Sequence, residues 1–149
     1  MENMSENNLI CVLYGSSNTG KTTSLRLLAK KLEQIAIAIA SITIPNEDDF
    51  AVTFILKNKK IGIITGGDDR GAIESGLTQI NNNRRCDIIF CASRTKGQTT
   101  DFLNETFKKE ELRWITNMYV YGNNDEQAFL CNQSVSDFLY NSLLLELAV

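Results

Sequence analysis

Histidine is absent from this sequence, and the spacings of its four cysteines fit neither a zinc ribbon nor a zinc finger. Zinc ribbons and zinc fingers need paired cysteines or histidines at short, regular spacings, which these positions do not provide. We therefore expect buried, reduced thiols rather than metal ligands. The cysteines are Cys11, Cys86, Cys91 and Cys131.

The chain also lacks an apolar run long enough to span a bilayer, which takes about 20 residues. Its longest run, IAIAIASITI at residues 35–44, is about half that length and is typical of a buried strand. The first residues, MENMSENN, are polar and acidic and lack the pattern of a secretory signal. We expect residues 1–8 to form a flexible N-terminal tail, and we expect a cytoplasmic protein without membrane contact.

Positive charge is not in excess either. The 15 Lys and Arg residues stand against 18 Asp and Glu residues, so the formal net charge is -3. This balance disfavours binding to nucleic acid through a broad basic surface. The length of 149 residues suits one domain, and the sequence contains no internal repeat and no low-complexity linker. We expect a single domain over residues 1–149.

Short apolar runs alternate with amphipathic segments along the chain. LICVLY, residues 9–14, is typical of a strand covered on both faces, and residues 22–35 have leucines at helical spacing. FAVTFIL and IGIIT flank the basic turn KNKK, which predicts an antiparallel pair of strands. Further strands are predicted at 35–44, 86–93 and 114–122, and further helices at 69–80, at 99–111 and from the capping-box sequence 134–137 onward. This alternation predicts a three-layer α/β/α sandwich with a mostly parallel sheet of about five strands.

The stretch GSSNTGKT, residues 15–22, lies between the first strand and the first helix and matches the pattern G-x-x-x-x-G-K-[ST]. In such a loop, backbone N–H groups turn toward a polyphosphate at the positive end of the helix dipole. Lys21 is expected to contact the β and γ phosphates, and the hydroxyl of Thr22 is expected to bind Mg²⁺. The predicted nucleotide-binding residues are Gly15, Ser16, Ser17, Asn18, Thr19, Gly20, Lys21, Thr22 and Thr23.

On these residues the chain resembles the P-loop NTPase superfamily. The match in sequence covers about the first quarter of the chain, and the strand and helix pattern agrees over most of the rest. The resemblance implies a P-loop nucleotide-binding domain of the α/β/α type. It also implies Mg²⁺ as cofactor and ATP, or another nucleoside triphosphate, as substrate.

Two aspartates, Asp68 and Asp69, follow the strand predicted at 61–65, in the sequence ITGGDDRG. Asp68 is the leading candidate to hold Mg²⁺ or to position a nucleophile, so the predicted metal site consists of Thr22 and Asp68. The alternative is that the glycines and aspartates form a turn and cap the next helix. The acidic stretch 47–49 is a further source of metal ligands, although a solvated loop is the favoured interpretation.

Two resemblances compete for the segment after this strand. DDRG, residues 68–71, matches the D-x-x-G of switch GTPases, but the next buried strand leads into CASRTKG rather than the N-K-x-D that reads guanine. ATP is therefore favoured over GTP. The same segment is similar to the glycine-rich acceptor loop of shikimate-kinase-like and nucleotide-kinase-like enzymes. In that comparison Gly66 and Gly67 would approach a small acceptor.

Arg94 and Lys96 follow the strand predicted at 86–93, at the sheet edge where open α/β folds bind ligands. Arg94 joins Lys21 and Asp68 as a predicted catalytic residue, because a cation there would neutralise charge in phosphoryl transfer. A solvated loop without a catalytic role is the alternative. The segment 121–137 occupies the position at which many kinase-like P-loop proteins hold adenine, which makes Asn132 or Gln133 its candidate contact.

These signals predict a P-loop protein that transfers a phosphoryl group from the nucleotide to water or to a small acceptor. The chain length and the TGG sequence favour a kinase, whereas the lack of a recognisable lid favours a hydrolase. One rival is a regulatory module that binds ATP without turnover and acts through a protein partner. The others are a GTPase-like switch and a purely structural interaction domain. A homo-oligomer in which a second copy supplies an arginine also stays open.

Overall fold

The computed structural model describes residues 8–16, 18–38, 44–45, 48–67, 69–122 and 124–148. These residues contain six strands and four helices, which are joined by loops. The strands are β1 Leu9–Tyr14, β2 Ile37–Ala38, β3 Ala51–Leu56, β4 Lys59–Ile64, β5 Ile88–Ser93 and β6 Leu112–Thr116. The helices are α1 Lys21–Ile35, α2 Arg70–Ile80, α3 Gln98–Thr106 and α4 Asp125–Leu147, and a 3₁₀ turn spans Lys109–Glu111.

The strands form one mixed sheet in an α/β fold. Its five long strands lie in the order β3-β4-β5-β1-β6, and the two-residue β2 lies beside β3 at one edge. Strands β4, β5, β1 and β6 are parallel, whereas β3 runs antiparallel to β4. The predicted antiparallel pair and the mostly parallel sheet are therefore confirmed.

Helices pack on both faces of this sheet because alternate residues of the central strands point to opposite sides. Cys11, Leu13 and Phe90 form one apolar cluster with α1 and α4. Ile10 and Ile89 belong to a second cluster, which includes α2 and α3. All six residues of β5 are buried, as expected for a parallel strand that is covered on both faces.

A two-residue turn fixes the register of β3 against β4. Lys57 and Asn58 both have positive φ, 52° and 66°, the backbone form that matches the twist of a tight hairpin. The ladder runs from Leu56 opposite Lys59 to Ala51 opposite Ile64. Because β3 is antiparallel, its first residue lies at the edge where the parallel strands end.

The region after α1 differs from the sequence-based expectation. Ile35 ends α1, where the predicted strand 35–44 should begin, and the amide of Ala36 still bonds to the carbonyl of Leu32 at 2.8 Å. Among the residues of this region that the structure describes, Ile37 and Ala38 form the strand β2, and residues 39–43 lie outside the described residues. An alternation of Ile and Ala does not separate the end of a helix from the start of a strand.

The second half of the chain requires three further corrections. Helix α3 ends at Thr106 rather than residue 111, because the Glu111 carboxylate accepts the amide of Lys108 at 2.9 Å and closes a separate turn. Strand β6 ends at Thr116 rather than residue 122. Helix α4 begins at Asp125 rather than near 134–137, because the side chain of Asn124 caps it by accepting the amide of Gln127 at 3.0 Å.

The N-terminal boundary moves as well. Asn8, which the sequence assigns to a flexible tail, is buried, and its amide donates to Glu111 Oε2 at 3.1 Å. Residues 1–7 lie outside the described residues. Among the helices that the structure describes, none is both long and apolar enough to cross a membrane.

The four cysteines are buried free thiols, as predicted. Burial raises the pKa of the Cys11 thiol to about 12 and the pKa of the Cys86 thiol to about 11. It raises the pKa of Cys91 as well. The reactive thiolate forms of these three cysteines are therefore scarce at neutral pH.

We predict that the folded protein resists thiol reagents. At pH 8 an aromatic disulfide reagent should react with fewer than one of the four thiols per chain, and with all four after denaturation. Absorbance of the released thiolate measures both counts. One thiol that reacts at the rate of free cysteine in the folded protein would contradict this picture of the core.

Gly67 provides a test of the contact between the end of β4 and β5. A Cβ at Gly67 would lie 1.9 Å from the carbonyl oxygen of Ala92, so the two backbones can meet only without a side chain there. We predict that Gly67→Ala lowers the free energy of unfolding by about 1–3 kcal/mol, as overpacking does. Denaturant titration measures the change.

Gly71→Ala is the matched control for this substitution. Gly71 is exposed in the first turn of α2, and the nearest atom to a Cβ there is 3.6 Å away. The control should be neutral or slightly stabilising, because alanine favours helix over glycine. Equal destabilisation by both substitutions would show that the contact with Ala92 is not responsible.

Candidate functional site

The glycine-rich loop, residues 15–22, lies at a switch point in the sheet topology. The chain leaves β1 through α1 toward β3 and β4, and it leaves the neighbouring β5 through α3 toward β6 on the other side of β1. Open α/β sheets bind ligands in the crevice that forms at the carboxyl ends of strands at such a point. The loop is therefore in the position where this kind of fold places a ligand.

Backbone hydrogen bonds hold the start of the loop on both sides. The amide of Gly15 donates to the Ser93 carbonyl of β5 at 3.1 Å, and the amide of Asn117 donates to the Tyr14 carbonyl at 2.9 Å. The side-chain amide of Asn117 also donates to the Thr19 carbonyl at 2.6 Å. Sequence reasoning missed Asn117, although a polar residue directly after a strand that ends at this edge was a usable signal.

The loop enters α1 through residues with left-handed backbone. Asn18 has φ 61° and Gly20 has φ 81°, while the Thr19 hydroxyl donates to the Ser16 carbonyl at 2.6 Å. Gly20 caps α1 without a side-chain hydrogen bond, and the first turn contains no acidic residue. The amides at the start of α1 therefore present partial positive charge that no acidic side chain of this turn offsets. Ser17 lies outside the described residues.

Lys21 crosses the inside of the loop. The residue is 6% exposed, and its ammonium donates to the carbonyls of Gly15 and Ser16, both at 2.7 Å. Two carbonyl contacts make the burial of a charged group tolerable. The ammonium is held within the loop, where it adds to the positive potential of the helix terminus.

A cavity of about 340 Å³ opens beside the loop, within the size range of small-molecule sites. Its walls combine the loop with the ends of β4 and β5 and the segment before β3. The lining residues are Asn18, Thr19, Gly20, Lys21, Thr22, Thr23, Asp49, Thr65, Gly67 and Ala92.

Asp49 and Thr65, which both line the cavity, meet where β3 begins and β4 ends. The Thr65 hydroxyl is 3.1 Å from Asp49 Oδ1, to which it donates, and it accepts the amide of Phe50 at 2.8 Å. Thr65 is 2% exposed, whereas Asp49 is exposed. The sequence offered Asp49 only as one residue of an acidic loop, and the antiparallel direction of β3 brings it to the cavity.

The other predicted acidic residues occupy different positions. Asp68, the leading sequence candidate, lies outside the described residues. Asp69 caps α2 by accepting the amide of Gly71 at 3.2 Å, which is the alternative role that the sequence allowed for this pair. Thr22 and Thr23, which the sequence predicts to bind nucleotide, line the cavity.

The remaining candidates lie around the cavity rather than on its wall. Arg94 follows β5 with its side chain exposed, and its carbonyl accepts hydrogen bonds from the hydroxyls of Ser93 and Thr100, both at 2.9 Å. Asn132 is within α4 and lies beside the loop, since Ser24 Oγ is 3.4 Å from Asn132 Oδ1. A Cβ at Gly20 would lie 2.3 Å from the same Asn132 oxygen.

The donor set suits a hard cation that keeps most of its water. Among the described residues, no three His, Cys, Asp or Glu side chains lie close enough together to hold a metal ion. Mg²⁺ needs no such cage, because it commonly binds one or two protein oxygens together with phosphate oxygens and water. The hydroxyl of Thr22 and the carboxylate of Asp49, which line one cavity, fit that requirement.

We predict that Asn117→Ala loosens the loop. The substitution removes the donor to the Thr19 carbonyl, so it should lower the free energy of unfolding by about 1 kcal/mol and speed amide hydrogen exchange in residues 18–20. Asn104→Ala, on the exposed surface of α3, is the control and should change neither. Unchanged exchange in the Asn117 variant would show that this bond does not hold the loop.

The chain was compared with models of protein families, with curated protein sequences and with solved structures. No family model, no curated protein and no solved structure matches it. The case for a function therefore depends on the geometry of the loop and its cavity.

Proposed function

We propose that this protein is a P-loop NTPase of the three-layer α/β/α type, which binds ATP with Mg²⁺ and transfers its terminal phosphoryl group to water or a small acceptor. The observation that carries the proposal is the loop at residues 15–22. Its buried lysine and a helix terminus without an acidic residue in its first turn line one cavity at the carboxyl edge of the sheet. Together these features favour a polyanionic ligand.

Charge distribution supports a phosphate rather than a neutral ligand. The Lys21 ammonium and the first amides of α1 lie at the same end of the helix, and the first turn has no acidic residue to offset them. A phosphate oxygen that entered the loop would replace the carbonyls of Gly15 and Ser16 as acceptors of the Lys21 ammonium. A charge-assisted hydrogen bond to phosphate is stronger than a bond to a neutral carbonyl.

In this proposal Lys21 and the loop amides stabilise charge on the transferred group. Thr22 offers a hydroxyl to Mg²⁺, and that ion, when bound, neutralises charge on the phosphates. Asp68 stays a predicted metal and positioning residue. Arg94, at the end of β5, stays a predicted catalytic cation, since a guanidinium that reached the phosphates would act in the same way.

The proposal favours ATP over GTP because β5 leads into CASRTKG, which lacks the N-K-x-D sequence associated with guanine recognition. The adjacent glycines at 66 and 67 favour a small acceptor through their similarity to the acceptor loop of shikimate-kinase-like and nucleotide-kinase-like enzymes. Gly67 lines the cavity itself.

Calorimetric titration with ATP and with GTP, both with Mg²⁺, tests the proposal. We predict that the protein binds ATP more tightly than GTP and that Lys21→Ala weakens ATP binding by about 100-fold, because a charged contact to phosphate contributes about 1.5–3 kcal/mol. Lys59→Ala removes a lysine from the opposite edge of the sheet, where β4 begins, and is the matched control.

Each result of this titration bears on a different statement. Absence of binding to either nucleotide would overturn the proposed function. Equal weakening by both lysine substitutions would show that binding is nonspecific. ATP binding without release of phosphate, in a screen that includes small hydroxyl acceptors, would leave the regulatory module as the function of this site.

A further inference from the structure

The start of β3 and the end of β4 form one polar corner of the cavity. The amide of Thr65 donates to the Phe50 carbonyl at 3.0 Å, which continues the β3–β4 ladder beyond Ala51. Residues just before β3 therefore lie beside residues just after β4. Asp49 therefore lines the same cavity as Thr23 although the two are 26 positions apart in the sequence.

Thr65 orients the Asp49 carboxylate. The hydroxyl of this buried threonine accepts the amide of Phe50 and donates to Asp49 Oδ1, so the backbone and side chain of the segment before β3 are both tied to β4. Among the described residues, none donates a hydrogen bond to Asp49 Oδ2 within 3.5 Å. One carboxylate oxygen is thus held in place and the other is left for a ligand.

The neighbouring aspartates are used differently. The backbone carbonyl of Asp48 accepts a hydrogen bond from Arg26 at 3.1 Å, and Asp48 does not line the cavity. Asp69 is engaged at the N-terminus of α2. Of the aspartates that the structure describes, Asp49 is the one on the cavity wall.

We infer that Asp49 supplies the protein carboxylate of the Mg²⁺ site, and that Thr65 positions it. This inference rests on the proposed function, and it changes that function's metal site from Thr22 and Asp68 to Thr22 and Asp49. Asp49, which comes just before the antiparallel strand β3, takes the role that the sequence assigned to Asp68, which follows the parallel strand β4. Thr22 would offer its hydroxyl and Asp49 its carboxylate to the metal, since both residues line one cavity.

The experiment measures ATP affinity by calorimetry in excess Mg²⁺ and again in excess chelator, for the wild-type protein and for Asp49→Asn. The ratio of the two affinities is the Mg²⁺ enhancement. We predict that Asp49→Asn reduces this enhancement about 10- to 100-fold, the range typical for loss of a group that supports a metal. Its affinity for metal-free ATP should be unchanged or higher, because a negative charge near the phosphates has been removed.

Three further variants separate a role at the metal from a structural role. Asp48→Asn removes the adjacent carboxylate and should keep the wild-type enhancement. Thr65→Val removes the hydroxyl that orients Asp49 and should reduce the enhancement, whereas Thr65→Ser keeps the hydroxyl and should restore most of it. Thermal unfolding of every variant shows whether the fold is retained.

Several outcomes would overturn the inference. One is an Asp49→Asn variant whose Mg²⁺ enhancement equals that of the wild-type protein. Another is ATP binding by the wild-type protein that does not depend on Mg²⁺. Both outcomes would leave the proposed nucleotide binding intact. Loss of the enhancement in Asp68→Asn but not in Asp49→Asn would return the carboxylate role to Asp68. Failure of the wild-type protein to bind ATP in either condition would overturn the proposed function, and this inference with it.

Discussion

The hydrogen bond between the Gly15 amide and the Ser93 carbonyl continues the pairing of β1 with β5 into the loop. On the other side of β1, the backbone amide of Asn117 donates to the Tyr14 carbonyl and so continues the pairing of β1 with β6. The loop thus begins at a fixed point between two parallel strands. The burial of Lys21, the left-handed turn at Gly20 and the direction of α1 all depend on that starting point.

Groups of opposite charge line the cavity that results. Lys21 and the first amides of α1 contribute positive charge, and Asp49 contributes an acidic side chain. A cationic side chain in the first turn of a helix is opposed by the helix dipole, so the two carbonyl contacts of Lys21 offset a cost that the loop itself creates. An anion with several charged oxygens would relieve that cost, and a divalent cation would connect the anion to Asp49.

The elements that depend on local pattern could be predicted from the sequence. The loop at residues 15–22, helix α1 and the β3–β4 hairpin each have a signal confined to neighbouring residues. The start of α4 was missed because residues 125–133 have no clean apolar period, although Asn124 before Asp125 and Glu126 is a usable capping signal. The end of α3 could not be predicted from apolar spacing, because the Glu111 carboxylate accepts the amide of Lys108 and forms a separate turn after the helix.

Asp49 and Asn117 are a different case, because the sequence marked Asp49 only as one residue of an acidic loop and did not single out Asn117. Each lies at the site through a strand pairing that joins distant parts of the chain, so the neighbouring residues do not show what either side chain contacts. A rule that searches for an acid after a strand assumes a parallel strand. For an antiparallel strand at the same sheet edge, the residue that precedes it occupies the equivalent position.

The hairpin turn at Lys57 and Asn58 therefore acts on chemistry at the far end of its strands. A slip of one residue in the pairing of β3 with β4 would turn each shifted side chain to the opposite face of the sheet, and Asp49 would no longer lie beside Thr65. Six residues of strand span about 20 Å. The backbone conformation of Lys57 and Asn58, at the far end of the hairpin from the cavity, thus helps to set whether the Asp49 carboxylate lies beside the Thr65 hydroxyl.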